Sequence, residues 1–341
     1  MSINAHTHLE LSGLPGPIGL ETADRPLSMS VWVDRLMRHR RSPEYDIRKA
    51  IARGLALSNA AFLGDICQPD APLEAYGVFP HVRKRLFREL IGWKNIRKNT
   101  CQNTWQNTWG DGCKNDRNNA AGNSLIDALI DDADRFLATL RQQGDPALLP
   151  GLSPHAPQTV HRELLERAVA LADTRRVPVA MHLAESPEEM QLLAEHAGPL
   201  AEMMRRVDPT YVPAEVLLGR RPLDYLRLFA ASVAGPRRLK IAIIHGNYLD
   251  EEEIRFLARN ADRFVVVYCP RSHAWFGYRE YPLHAMLRAG VRVALGTDGL
   301  ASSPDLNIMS EADFVRERFP GIPPAEIERM LHENGRFLFD P

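Results

Sequence analysis

The sequence predicts a single (β/α)8 barrel, and three observations favour this fold class. From residue 146 onward, short apolar runs alternate with longer helical patterns, which is the element order that builds a parallel sheet. Several of the runs are apolar almost throughout, as expected for strands buried on both faces. A barrel takes about 250 residues. The 341 residues therefore fit one domain over 1–341, with room for long loops.

Eight segments are predicted as strands, the number that closes such a barrel. They are residues 3–6, 60–66, 84–92, 148–152, 177–183, 239–245, 264–269 and 291–297. Segment 84–92, with the sequence KRLFRELIG, is the weakest of these because it carries four charged residues and could equally form a helix. Helical patterns are predicted at residues 43–58, 124–143, 158–174, 187–196, 250–260 and 282–289. Right-handed crossovers place them outside the sheet.

Residues 94–123 interrupt this alternation. They are rich in asparagine and contain Gln-Asn-Thr-Trp twice in tandem, at 102–105 and 106–109, which is typical of a surface insertion. Cys101 and Cys113 lie within this segment without a second cysteine pair or a nearby histidine, so a zinc knuckle is not favoured.

The composition points to a soluble protein with a small-molecule partner. A formal net charge of -1, with 45% hydrophobic and 25% charged residues, favours neither disorder nor binding to nucleic acid or an anionic membrane. The four cysteines are too few and too irregular for a disulfide framework, which favours the cytoplasm. No leader or membrane-length apolar stretch is evident. A homodimer is compatible with the sequence.

Polar residues recur where the apolar runs end. His6 and His8 lie two apart on the first predicted strand, so their side chains point the same way. His155, His182, Glu185, His245 and Asp298 follow at or just beyond the ends of later runs. A single histidine at a strand end is more often structural than a ligand. Because active sites of barrels lie at the carboxyl ends of the strands, the shared placement favours one functional site.

The residue types in this set indicate a metal centre. Three imidazoles and one carboxylate, from His6, His8, His182 and Asp298, suit Zn²⁺ or Fe²⁺ better than the oxygen-rich sites of Mg²⁺ or Ca²⁺. Segment 147–155 contains no lysine or glutamate that could bridge two ions. We therefore expect one divalent ion, Zn²⁺ before Fe²⁺.

Five motifs resemble one branch of the amidohydrolase superfamily, the cytosine, adenosine and guanine deaminases and chlorohydrolases. They are Asn-Ala-His-Thr-His-Leu-Glu at 4–10, Met-His-Leu-Ala-Glu at 181–185, His-Gly-Asn at 245–247, Cys-Pro-Arg-Ser-His at 269–273 and Leu-Gly-Thr-Asp at 295–298. The resemblance spans residues 3 to about 336 and implies the same four metal ligands.

The resemblance also implies roles beyond the metal. Glu185 resembles the proton shuttle of the family, and His245 resembles the histidine that orients the reactive water. His155 matches a position that contacts substrate. Further residues expected at the mouth of the site are Glu10, Glu89, Arg271, His273 and Trp275.

The activity implied is hydrolytic deamination of an amino-heterocycle with release of ammonia. The segments around Glu10, His155 and 269–273 resemble deaminases of adenine-type nucleosides, including aminodeoxyfutalosine and S-adenosylhomocysteine deaminases. Two alternatives remain open: hydrolysis of a cyclic amide or halogenated ring, and a barrel that binds a small molecule without turnover. Relatives usually carry a small β-sandwich built from segments flanking the barrel. Because only five residues precede His6, we expect that sandwich to be absent.

Overall fold

Eight parallel strands form one sheet in which the strands follow each other in chain order. The computed structural model describes residues 1–19, 27–94, 124–231 and 238–340. The strands are β1 Ile3–Thr7, β2 Phe62–Cys67, β3 Arg83–Leu90, β4 Leu148–Pro154, β5 Val179–Leu183, β6 Ile241–His245, β7 Phe264–Tyr268 and β8 Val293–Leu295. All eight predicted strands are therefore confirmed, with ends that differ by a few residues.

The first and last strands meet and bring the sheet close to a closed barrel. Thr7 forms a parallel bridge with Asp298, and the amide of Asp298 donates to the carbonyl of His6 at 3.2 Å. The side chain of Asn4 donates to the Thr297 hydroxyl at 2.8 Å and accepts from the Thr297 amide at 3.0 Å. The fold is thus the predicted (β/α)8 barrel, and the seam between its ends lies next to the predicted site.

Helices occupy the connections between most strands. Within the described ranges they are α1 Met29–Arg40, α2 Ile47–Leu57, α3 Leu125–Gln143, α4 Arg162–Arg175, α5 Pro187–Glu195, α6 Pro199–Val207, α7 Pro213–Val216, α8 Pro222–Ala231, α9 Glu251–Arg259, α10 Pro270–Trp275, α11 Leu283–Ala289, α12 Ile308–Arg318 and α13 Pro324–His332. The β2 to β3 connection instead carries a 3-10 turn, Leu73–Gly77. Six of the helices correspond to predicted ones.

The hydrophobic core has two layers, because alternate residues of a strand point to opposite faces of the sheet. One apolar cluster fills the barrel and includes Ala180, Ala242 and Val265, and the larger one lies between the strands and the surrounding helices. A final 3-10 turn, Asn334–Leu338, places Leu338 in the inner cluster. It lies at the end of the barrel where the strands begin, so the opposite end is left for the site.

Strand β3 is the segment whose sequence also suited a helix. From Lys84 onward its charged side chains are buried, and they are hydrogen-bonded to groups outside the strand. Lys84 donates to the carbonyls of Val78 and Phe79 at 3.2 and 2.8 Å. Arg85 donates to the carbonyls of Leu338 and Pro150 at 2.9 and 2.7 Å. These hydrogen bonds allow a charged sequence to occupy a buried strand.

None of the helices within the described ranges is long and apolar enough to cross a lipid bilayer. Cys67 and Cys269 are buried free thiols. Apart from Lys94, the predicted insertion at 94–123 lies outside the described residues, and so do Cys101 and Cys113.

Candidate active site

Four predicted ligands converge where the strands end. His6 lies on β1, His8 directly follows it, His182 lies near the end of β5, and Asp298 follows β8. One nitrogen from each of the three histidines lies within 4.8 Å of the others. The Asp298 Oδ1 atom is 3.5 Å from His6 Nε2 and 3.8 Å from His8 Nε2. We call these four residues the ligand cluster.

The cluster fits a divalent metal ion. His182 Nδ1 lies 3.0 Å from the carbonyl of His155, and because a carbonyl only accepts, Nδ1 carries the proton and Nε2 keeps a free lone pair. That Nε2 atom is 3.2 Å from His8 Nε2. His6 Nε2 is buried and makes no hydrogen bond. Buried nitrogen lone pairs beside a carboxylate form a donor set that suits Zn²⁺ or Fe²⁺.

Burial keeps most of these imidazoles neutral, the form that binds metals. It lowers the pKa of His6 to about 4 and that of His182 well below its usual range. Burial also opposes the charged forms of His8 and Asp298, but hydrogen bonds and electrostatic contacts with their neighbours outweigh it. The pKa of His8 is consequently raised, chiefly by Glu10 and Asp298, and the pKa of Asp298 is held well below its usual range by the nearby histidines.

The segment that carries His6 and His8 is fixed by one buried carboxylate. Asp65, at the end of β2, accepts hydrogen bonds from the Thr7 hydroxyl at 2.9 Å and the Leu9 amide at 2.8 Å. These two donors flank His8 in the chain. The backbone on both sides of this ligand is therefore anchored to the neighbouring strand.

Glu185 and His245 stand beside the ligand cluster. Glu185 Oε1 lies 3.3 Å from His245 Nε2, and the Glu185 side chain is 19% exposed. Burial raises the pKa of Glu185 well above its usual range and lowers that of His245 to about 3. A carboxyl group with a raised pKa, next to a neutral imidazole, is suited to acid and base catalysis.

The loop after β5 is built to present Glu185 inward. The buried carboxylate of Glu189 accepts from the amides of Ala184 and Glu185 at 2.7 and 2.9 Å. Ala184 has the left-handed backbone angle φ +56 that such a turn needs. The side chain of Asn247 donates to the carbonyl of Glu185 at 2.8 Å. These contacts hold Glu185 away from the helix-opening, solvent-facing position that its sequence also permits.

A cavity above the cluster has two different walls. Its space, including the open mouth, is about 720 Å³. Polar groups form one wall: His8, Arg40, Glu89, His155, Gln158, His182, Glu185, His245 and Asp298. Apolar side chains form the other: Leu11, Met29, Trp32, Val33, Leu36, Met37 and Ile91. Most of the apolar wall comes from a single face of α1.

The structure brings some of the predicted substrate residues to this cavity. His155 and Glu89 line it, and His155 Nε2 is 3.9 Å from Glu89 Oε1. Glu10 lies behind the lining, where it accepts from Arg40 and has its Oε1 atom 3.8 Å from His8 Nδ1. Glu10 therefore contacts the predicted ligand His8 from the side away from the cavity.

Three predicted mouth residues of the β7 to β8 connection, Arg271, His273 and Trp275, are not among the side chains that line the cavity. The guanidinium of Arg271 is bonded to Asp305 and Glu311. His273 is buried within 5.8 Å of the Tyr268 ring, and Trp275 ends α10.

Sequence reasoning missed the apolar wall. The signal is present in the chain: Met29, Val33, Leu36 and Met37 recur at the helical spacing that places them on one face. The predicted helices do not include this segment. Arg40, at the end of the same face, was missed as well.

The sequence is similar to one protein family and to curated deaminases. A sequence model of the amidohydrolase family matches residues 99–336. The aminodeoxyfutalosine deaminase of Deinococcus radiodurans is 32% identical over 218 residues, which are 62% of this chain and 50% of that protein. The 5-methylthioadenosine/S-adenosylhomocysteine deaminase of Pyrococcus furiosus is 30% identical over 54% of this chain and 38% of its own length. The chain thus spans half or less of the length of these curated relatives.

Solved structures share the fold over nearly the whole chain. Helicobacter pylori aminofutalosine deaminase in complex with methylthio-coformycin superposes with a TM-score of 0.75 and 18% identity, covering 99% of this chain and 73% of the other. A zinc-bound adenosine deaminase from Xanthomonas campestris gives a TM-score of 0.66 and 22% identity over 99% and 66%. With the family match covering more than half of the sequence, the chain belongs to the amidohydrolase family.

Proposed function

We propose that this protein is a metal-dependent hydrolytic deaminase that releases ammonia from an amino-heterocycle, with an adenine-type nucleoside derivative as substrate. The placement of Glu185 and His245, 3.3 Å apart, beside the ligand cluster on the wall of one cavity carries the proposal. It puts a proton carrier and a polar partner next to a metal-binding set. The names of the curated relatives support the substrate class.

One divalent ion would be held by the ligand cluster, Zn²⁺ in this proposal and Fe²⁺ as the alternative. A divalent ion in such a site lowers the pKa of a coordinated water toward about 7 and so supplies a nucleophile at neutral pH. Among the described residues, the three histidines of the cluster are the one group of metal-binding side chains that converge closely enough, which supports a single ion.

The residues of the chain would manage the protons. Asp298 is ionised and would accept through Oδ1 the proton lost by the attacking water. Glu185 holds a proton and delivers it to the ring nitrogen next to the amino-bearing carbon. The proton taken up by Asp298 then passes to the departing amino group, which leaves as ammonia, and the proton of the new hydroxyl group returns to Glu185. His245 lies within reach of Glu185 Oε1 and orients the water and the carboxyl group.

The two walls of the cavity support a substrate with two chemical parts. The polar wall offers acceptors and donors from Glu89, His155 and Gln158, which suit a heterocycle and sugar hydroxyls. The apolar face of α1 suits a hydrophobic substituent. We therefore favour a substituted nucleoside over a free base.

An ammonia-release screen tests the proposal. The metal-loaded protein is incubated with adenosine, 5-methylthioadenosine, S-adenosylhomocysteine, adenine, guanine and cytosine, and ammonia is measured alongside the ring product. We expect release from the adenine nucleosides and less from the free bases. A chlorinated heterocycle is added to the screen. Loss of halide from it without ammonia release from any nucleoside, or no product at all although metal is bound, would contradict the proposal.

A further inference from the structure

Two buried serines contact the same oxygen of Asp298. Ser272 Oγ lies 2.8 Å and Ser302 Oγ lies 2.7 Å from Asp298 Oδ2. A carboxylate oxygen only accepts, so both short distances indicate hydroxyls that donate to Oδ2. The two hydroxyl oxygens are 3.0 Å apart, and both residues are almost completely buried. Water does not compete for these hydrogen bonds.

The other oxygen of Asp298 faces the histidines. Oδ1 is 3.5 Å from His6 Nε2 and 3.8 Å from His8 Nε2. The carboxylate is therefore divided: Oδ2 is occupied by hydroxyl donors, and Oδ1 is left for the ligand cluster. Asp298 also has the left-handed backbone angle φ +59, which is uncommon for a residue with a side chain and persists only when surrounding contacts hold it.

The segments that supply the two hydroxyls are joined by a second carboxylate. Glu311 of α12 accepts from the amide and the Nε atom of Arg271 at 2.9 and 2.7 Å. It also lies 3.5 Å from the hydroxyl of Ser303. Arg271 precedes Ser272 and Ser303 follows Ser302, so Glu311 braces both segments directly behind the serines. Arg271 therefore helps to hold the segment that carries Ser272, although its side chain does not line the cavity.

We propose that Ser272 and Ser302 are positioning residues, whose hydroxyls jointly orient the Asp298 carboxylate toward the ligand cluster and thereby set the affinity of the site for its metal ion. The inference rests on the proposed metal centre. Groups that orient a ligand in this way typically contribute about 10- to 100-fold to metal affinity. Neither serine touches the metal-binding atoms or the substrate in this account.

The test compares Ser272→Ala, Ser302→Ala and the double variant with Ser30→Ala. Ser30 is a matched control, since it is a buried serine of α1 whose hydroxyl lies 3.3 Å from that of Ser28, outside both the ligand cluster and the lining of the cavity. The dissociation constant for Zn²⁺ is measured by competition with a chromophoric chelator. The thermal midpoint of each metal-free protein reports the fold.

We expect each single variant to weaken Zn²⁺ binding several-fold and the double variant to weaken it about 10- to 100-fold. Ser30→Ala should retain the wild-type affinity, and the thermal midpoints of the metal-free variants should lie close to one another. If the double variant does not fold, the two single variants decide the question. If both single variants bind Zn²⁺ with wild-type affinity, the positioning role of the serines is wrong but the proposed metal centre is unaffected. If the wild-type protein binds no Zn²⁺, the proposed metal centre is wrong as well.

Discussion

Glu185 Oε1 lies 3.3 Å from His245 Nε2, at the wall of the cavity and next to the ligand cluster. The pair comes from different strand ends, since Glu185 follows β5 and His245 ends β6. The distance between the two side chains is therefore set by the packing of neighbouring strands in the barrel and not by local sequence. Burial places the carboxyl group and the imidazole in their neutral forms, by raising the pKa of Glu185 and lowering that of His245. Proton transfer is the role that this pairing favours.

Glu185→Gln should separate chemistry from folding. The amide keeps the shape of the side chain but cannot shuttle a proton, so turnover should fall by about 10² to 10⁴. Metal content and thermal midpoint should remain near wild type. Glu195→Gln, at an exposed position at the end of α5, is the matched control. A metal-replete Glu185→Gln protein with activity within a few-fold of wild type would remove this residue from the mechanism.

His182→Ala should lose metal and activity together. It removes one of the three imidazoles whose nitrogens lie within 4.8 Å of each other. Metal analysis of the purified variant, alongside His81→Ala at an exposed position, checks this. Full metal occupancy in His182→Ala would show that the ligand assignment is wrong.

The apolar wall of α1 should set preference for the substrate substituent. Val33→Ser places a hydroxyl where the cavity is apolar, so kcat/KM for 5-methylthioadenosine should fall by about 10-fold, with a smaller change for adenosine. Val31→Ser makes the same substitution on the same helix at a position outside the cavity lining. Equal effects of the two variants on both substrates would contradict a binding role for this wall.

Glu189 should leave a signature in the pH dependence of stability. Burial raises its pKa from about 4.5 to about 7 in the folded protein. Between these two pH values the folded state binds more protons at Glu189 than the unfolded state does. The contribution of the protonated Glu189 side chain to the free energy of unfolding is therefore fully present below about pH 4.5 and is lost as the pH rises to about 7.

Glu189→Gln removes that titration. The free energy of unfolding of the wild type relative to the variant should therefore fall by about 2 kcal/mol from pH 5 to pH 8. Urea unfolding of the metal-free proteins at several pH values measures the difference. A difference that stays constant with pH would show that Glu189 is not the titrating group.

The fold and the convergence of the four predicted ligands could be predicted because their signals are local. The strands are short apolar runs, and the ligands lie at or just after their carboxyl ends, where a barrel gathers them. Strand β3 was ambiguous because its charged residues find their partners elsewhere in the chain, as Arg85 does in the carbonyl of Leu338. Sequence alone cannot supply such pairings.

The mouth of the site was harder to predict because side-chain direction depends on tertiary packing. In the motif at 269–273, Ser272 points to Asp298 while its neighbour Arg271 points to Glu311. Sequence resemblance identifies the motif, but it does not show which of its side chains face the cavity. The apolar face of α1 did have a periodic signal, and only its relation to the barrel mouth required the structure.

The most direct test of the central claim is simultaneous measurement of bound metal and ammonia release for the wild-type protein supplied with adenine nucleosides. The account predicts one divalent ion per chain and one ammonia for each nucleoside converted, both lost on chelation and restored when Zn²⁺ or Fe²⁺ is returned. Two ions per chain, or ammonia release that persists in the metal-free protein, would contradict it.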